Sequence, residues 1–152
     1  MLSLLLLCRY KFINLHNLNA SSNPMSNPKK ILVVDDEQDV RILFEQRFRK
    51  EIRSGAVNFV FAYSGEEALS YLHQHEHEAV LILSDINMPG MSGLELLRKI
   101  KYEHKEPPPV VMMITAYGDS ENYQTALNLG ADDFLTKPLD FTVLKEKLNL
   151  LN

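Results

Sequence analysis

Five apolar runs without polar alternation constrain this chain more than any other feature. They are residues 31–34 in KILVVDD, the NFVFAY stretch near 58–63, AVLILSD, PVVMMITA and the shorter DDFLT. A strand wetted on one face alternates apolar with polar residues. Uninterrupted runs therefore imply strands covered on both faces, as helices cover a parallel sheet. Between the runs the apolar period becomes three and four. Val40, Leu43, Phe44 and Phe48 mark the inward face of a first helix, leaving Glu45, Arg49 and Lys50 for solvent.

The later helices carry punctuation as well as period. Ser64 with Glu67, and Ser92 with Glu95, have the spacing of capping boxes at the second and third helices. The third is expected to bury Leu94, Leu97 and Ile100 and to stop before prolines 107–109, which remove donors and disfavour helix in the preceding residue. Asp119 is placed to cap a fourth helix whose Tyr123, Ala126 and Leu127 face inward, with Gly130 at its C-terminal end. A fifth, near 141–150, repeats the pattern with Leu144 and Leu148. Five strand–helix units in about 120 residues predict one three-layer, doubly wound α/β domain. Right-handed crossovers then gather the strand C-termini along one edge, where open parallel sheets form their functional crevice.

Residues 1–28 differ in character from the rest of the chain. Their apolar run, 2–8, is too short to cross a bilayer and lacks basic residues ahead of it, so the segment is read as a disordered leader or an early start, with Met25 the alternative start, and a weak membrane-touching tail or partner-binding helix as the second reading. Arg9 and Lys11 are its only charges; the remainder carries 14 basic and 20 acidic residues. That balance disfavours non-specific nucleic-acid binding. A lone cysteine, Cys8, offers no disulfide framework and suits a reducing, cytoplasmic setting.

The strand ends carry the chemistry. Asp35 and Asp36 close the first strand, Asp85 the third, Thr115 the fourth, and Lys137 follows the fifth. Three carboxylates brought together repel one another unless cations compensate. A hard divalent ion such as Mg²⁺ suits such an oxygen-rich site, and Lys137 adds a second positive centre.

VVDDE, SDINMPGMSG, ITAYG and FLTKPL resemble the signatures of bacterial two-component response-regulator receiver domains, the CheY-like family. The likeness runs over about 29–148, so the domain is taken as 29–152. It implies a parallel sheet in order 2-1-3-4-5 flanked by five helices. It also implies Asp85 as phosphoacceptor, and Mg²⁺, with Mn²⁺ an alternative, held by Asp35, Asp36, Asp85 and the backbone carbonyl of Asn87. Thr115 and Lys137 would stabilise the phosphoryl group, Phe134 would be the switch aromatic, and Asn87 and Tyr117 would modulate dephosphorylation. The Lys137–Pro138 bond is expected to be cis. The resemblance further implies a sensor histidine kinase or histidine phosphotransfer protein as donor. Output would pass through the fourth helix, fifth strand and fifth helix to a downstream protein, a missing output domain or a second copy, with no direct nucleic-acid binding. Self-phosphorylation from the donor and autodephosphorylation would be its only catalysis. Two other functions use the same residues: a receiver-like interaction scaffold that takes no phosphate, and an aspartate-nucleophile phosphohydrolase. Against the latter, Asn87 stands where an acid–base residue is expected, two positions past Asp85. His73 and His77 share a face if the second helix continues through them, and are read as surface polarity rather than a metal site.

Overall fold

The computed structural model of the chain describes residues 27–78, 80–103 and 107–149. The leader expected at 1–28, with Cys8 and Met25, lies outside them apart from its last two residues. Five strands, β1 (Lys29–Val34), β2 (Val57–Ala62), β3 (Val80–Asp85), β4 (Val110–Thr115) and β5 (Asp133–Thr136), form one sheet in order β2-β1-β3-β4-β5. Every pairing is parallel, so the C-terminal ends of β1, β3 and β4 lie side by side.

Because side chains alternate across a strand, each uninterrupted run feeds two cores. Leu32, Val34, Ile82, Val111 and Met113 point to one, and Ile31, Val33, Leu83, Met112 and Ile114 to the other. Helices α1 (Val40–Arg47) and α2 (Arg49–Arg53), together with α6 (Phe141–Lys147), cover the second core; α3 (Gly65–Gln74), α4 (Gly93–Glu103) and α5 (Ser120–Asn128) cover the first.

The first helix is in two pieces, giving six helices among the described residues instead of five. The break falls at Phe48, whose φ and ψ of −107° and 20° are not helical. Phe48 is fully buried, stacks on Phe44 at 5.7 Å and meets Phe59 edge-on at 4.8 Å. That aromatic nest anchors the joint. Phe44 and Phe48 carry the inward face, with Val40 partly buried against the same core, while Leu43, about 100° round the helix from Phe44, is exposed.

Two other faces differ from expectation. Helix α4 buries Leu96 alongside Leu97 and Ile100, and Leu94 is only partly covered, because the sheet and α3 close over a wider arc than a three-residue stripe. Helix α5 buries only Ala126 on the sheet; Tyr123 and Leu127 are largely exposed, Tyr123 keeping one ring contact with Phe134 of β5, since a small side chain at the contact draws the helix in and turns its neighbours outward.

The caps match more closely. Ser64 Oγ accepts from Glu67 N at 3.1 Å and Ser92 Oγ from Glu95 N at 3.2 Å, and Asp119 caps α5 through Asn122 N at 3.2 Å. The Glu67 carboxylate reaches back to Tyr63 N rather than to Ser64 N. Gly130, at φ +93°, follows the C-cap of α5. Helix α3 ends at Gln74, so His77 shares no helical face with His73, and His75 stacks on Tyr71 at 4.0 Å. Among the described residues no helix is long and apolar enough to cross a membrane.

Candidate functional site

The site is built where β1, β3 and β4 end. Asp35 follows the last residue of β1 and Asp85 closes β3, and each carboxylate accepts a backbone N–H two residues on: Glu37 N to Asp35 Oδ1 at 2.9 Å, Asn87 N to Asp85 Oδ1 at 3.3 Å. These Asx turns let a strand finish in an acid and leave the sheet without stranding a donor. Asp36 does not cap α1, whose N-cap is Asp39 with no side-chain cap bond. Carboxylate oxygens of Asp35, Asp36 and Asp85, one from each, lie within 4.8 Å of one another. Asp35 and Asp85 are buried, at 7% and 3% exposure, and Asp36 is more open.

Lys137 crosses from the end of β5 and donates from Nζ to Asp85 Oδ2 at 2.6 Å. Its backbone N–H is fixed on Thr115 O at 2.9 Å, and the Lys137–Pro138 bond is cis, as expected. Thr115 is buried at the end of β4, but its hydroxyl donates to Leu135 O at a long 3.4 Å instead of to an aspartate. Asn87 is exposed just past Asp85. Tyr117, at 89% exposure, stands two residues beyond Thr115. The Phe134 ring is partly buried against the first core and tilts against Tyr123 at 4.3 Å.

The electrostatics follow from crowding. Burial, above all, raises Asp35 over the ordinary aspartate value, and the Asp85 charge pushes the same way against the Glu37 N–H and Lys137. For Lys137 burial is the largest single influence and works downward, yet the hydrogen bond and charge of Asp85, with the charges of Asp35 and Glu37, outweigh it and raise the ammonium above the ordinary lysine value. One lysine thus faces three acids. The excess negative charge and the all-oxygen donor set fit a small, hard divalent cation.

Gly93 is a site residue that period and motif spacing did not single out. It opens α4 with its N–H donating to Ile86 O at 2.7 Å, and a Cβ there would stand 2.0 Å from Asp85 O. Only a residue without a side chain lets the helix start press against the backbone of the acid. The available signal was a glycine at a first helical turn, directly after a serine cap.

The family model described as "Response regulator receiver domain" matches residues 31–149. The chain belongs to this family. A chemotaxis protein CheY homologue of Campylobacter jejuni is 38% identical over 119 residues, which is 78% of this chain and 88% of that protein. The response regulator protein PilR of Pseudomonas aeruginosa is 40% identical over 121 residues, 78% of this chain but 25% of its own length. Among solved structures, a response regulator receiver protein from Pseudomonas putida aligns with a TM-score of 0.70 at 28% identity, covering 84% of this chain and all of that one. Receiver domains generally bind Mg²⁺ at an acidic pocket, and Asp35, Asp36 and Asp85 form an acidic cluster in this chain.

Proposed function

We propose that the chain is a phosphorylation-activated switch that accepts a phosphoryl group on Asp85 from a sensor histidine kinase or a histidine phosphotransfer protein. The observation that carries this is the pairing of Lys137 Nζ with Asp85 at 2.6 Å inside a cluster of three carboxylates. A salt bridge serving stability alone would not need two further acids beside it, because each raises the electrostatic cost.

Asp35, Asp36 and Asp85, with the Asn87 carbonyl, would hold Mg²⁺, or Mn²⁺ in its place, and the ion would offset charge on the phosphoryl oxygens. The remaining steps belong to side chains. Asp85 attacks phosphorus in line; a P–O bond forms as the donor's P–N bond breaks, and the imidazole leaves with that electron pair. Lys137 orients the carboxylate through its 2.6 Å bond to Oδ2 and spreads the charge that develops on the equatorial oxygens. Asp is a weak nucleophile in water, so fixed alignment supplies much of the rate. Hydrolysis of the acyl phosphate resets the protein, with Asn87 and Tyr117 bordering the approach of water.

Thr115 links charge to shape. Its present bond to Leu135 O is at the long limit for a hydroxyl donor, so exchanging it for a phosphoryl oxygen sacrifices little. The released carbonyl adjoins Phe134, whose ring leans on Tyr123 of α5. Repositioning Phe134 would change the surface formed by α5, β5 and α6, biasing contact with a downstream protein, an output domain or a second copy.

Incubation with a small acyl phosphate and Mg²⁺, followed by intact and fragment mass measurement, tests the proposal. One phosphate on Asp85, lost in Asp85→Asn and on chelation, is expected. A folded protein that takes no phosphate from several donors would leave the scaffold function, and rapid hydrolysis of unrelated phosphoesters would favour the phosphohydrolase.

A further inference from the structure

The loop that leaves Asp85 is held mainly by its two methionines. It spans residues 86–92, between β3 and α4, and Asn87, Pro89 and Gly90 within it are exposed. The Asn87 N–H reaches Asp85 Oδ1 at a long 3.3 Å, so that bond by itself holds Asn87 weakly. Past Ile86 the apolar anchors are Met88, which is buried, and Met91, which lies partly buried against the first core.

Met91 rests on bare backbone. Gly65 is buried at the first residue of α3, and a Cβ there would lie 2.7 Å from Met91 Sδ, 2.9 Å from its Cγ and 3.0 Å from its Cβ. The φ of Gly65 is not positive, so the backbone alone does not require glycine. What the glycine supplies is room for the Met91 side chain. The next residue of α3 meets the same loop, since a Cβ on Gly90 would lie 3.6 Å from Glu66 Oε1. Methionine suits such a seat because its unbranched, polarisable chain fills irregular gaps. Rotation about χ1 could carry Sδ and Cγ away from a Cβ at position 65, but Met91 Cβ moves only with the loop backbone. Crowding at Gly65 is therefore passed to the loop, four residues from Asn87.

The geometry points to Gly65 and Met91 as positioning residues of the phosphoacceptor site: Met91, seated on Gly65, holds the loop so that the Asn87 main chain stands beside Asp85. This role rests on the proposed phosphorylation of Asp85 and on the Asn87 carbonyl as a cation ligand. It brings α3, which contributes no side chain to the cluster of Asp35, Asp36 and Asp85, into the control of cation affinity. A contact that only fills the core would change stability alone. A positioning contact changes the state of Asn87 as well.

The test compares Gly65→Ala, Met91→Ala and the double variant of the full chain, with Leu72→Val, two turns further along α3, as the stability control. Calorimetric titration with Mg²⁺ reads the site, the Tm without Mg²⁺ reads the fold, and the backbone amide resonance of Asn87 in metal-free protein reads the loop. Each single variant should weaken Mg²⁺ binding on the order of tenfold, as loss of a group that orients a metal ligand does, and should shift the Asn87 resonance. The double variant should bind no more weakly than the more affected single, because both changes remove one contact. Leu72→Val should lower Tm and leave affinity and resonance as in the parent. Single variants that melt lower yet bind Mg²⁺ like the parent, an unmoved Asn87 resonance, or losses that multiply in the double variant would each overturn the inference and leave the phosphoacceptor function standing. A parent that binds no Mg²⁺ would overturn both.

Discussion

Gly93→Ala places the smallest possible side chain where the fold has no room for it. The added Cβ would lie 2.0 Å from Asp85 O and 2.7 Å from the Ile86 Cα, both backbone atoms that cannot rotate aside. Ordinary contact begins near 3.4 Å, so the start of α4 must retreat from the end of β3 by about 1.4 Å. That movement breaks the 2.7 Å bond from Gly93 N to Ile86 O. Overpacking of this kind costs about 1–3 kcal/mol and the lost bond about 1 kcal/mol. Alanine's better helix propensity returns up to about 1 kcal/mol. The net loss is about 1–4 kcal/mol, a fall in Tm of about 4–16 °C for a domain of this size. Differential scanning calorimetry reads the fall, and the rate of acyl-phosphate labelling reads the displaced Asp85. Gly118→Ala is the control: its φ is positive, at +81°, unlike that of Gly93, but nothing lies within 4 Å, so only backbone strain of about 1–2 kcal/mol is expected and Asp85 stays in place. A Gly93→Ala protein that melts with the parent and is labelled at the parent rate would refute the close approach of α4 to Asp85.

Asp35 supplies a pH prediction. Its folded pKa is raised, so the folded state binds the proton more tightly than the unfolded chain and stability falls as pH rises through the carboxylate range. Asp35→Asn should therefore raise Tm at neutral pH in metal-free buffer, with the gain vanishing in acid, and should abolish the rise in Tm that Mg²⁺ gives the parent. At the far end of β4, Lys101 Nζ meets Asp132 Oδ2 at 2.5 Å with both side chains at least nine-tenths buried, and the same oxygen accepts from Val111 N. Asp132→Ala should cost about 3–5 kcal/mol in urea unfolding, and Lys101→Met combined with Asp132→Leu distinctly less, because the pair's removal leaves no buried charge. Thr115→Val should leave Tm within a degree or two, given the long bond it loses, while phosphate uptake no longer alters the environment of Tyr123, read by its fluorescence.

The sheet was legible because a strand's side chains have only two directions. Once residues 31–34 and the LILSD run are parallel and adjacent, Asp35 and Asp85 have no choice but to end at one edge, and VVMMIT brings Thr115 there by the same step. Helix faces have more freedom. Period three and four fixed Phe44 and Leu97, but the width of the buried stripe depends on how closely the helix approaches its neighbours. Ala126 brings α5 near and turns Tyr123 outward, whereas α4, held against β3 by Gly93, buries Leu96 as well. Neither distance is written in a hydrophobic pattern. The break at Phe48 was hidden for a related reason. No proline or glycine marks it, and only the packing of Phe48 against Phe44 and Phe59 holds a non-helical residue inside an otherwise continuous period.

The same joint carries a cluster of charge. Even in a straight helix from Val40 to Arg53, Arg47, Arg49, Lys50 and Arg53 would fall within about 160° of arc at 100° per residue, so their spacing in the sequence already places them on one side. With the break at Phe48 in place, Arg47, from the first piece, lines one notch with Arg49, Lys50 and Arg53 from the second. The acids cannot follow, because Glu51 is drawn under the domain to Lys145 and Glu45 is held by Arg41. The sheet therefore has an acidic edge made by strand ends and a basic edge made by a helix joint, with the apolar layers between them.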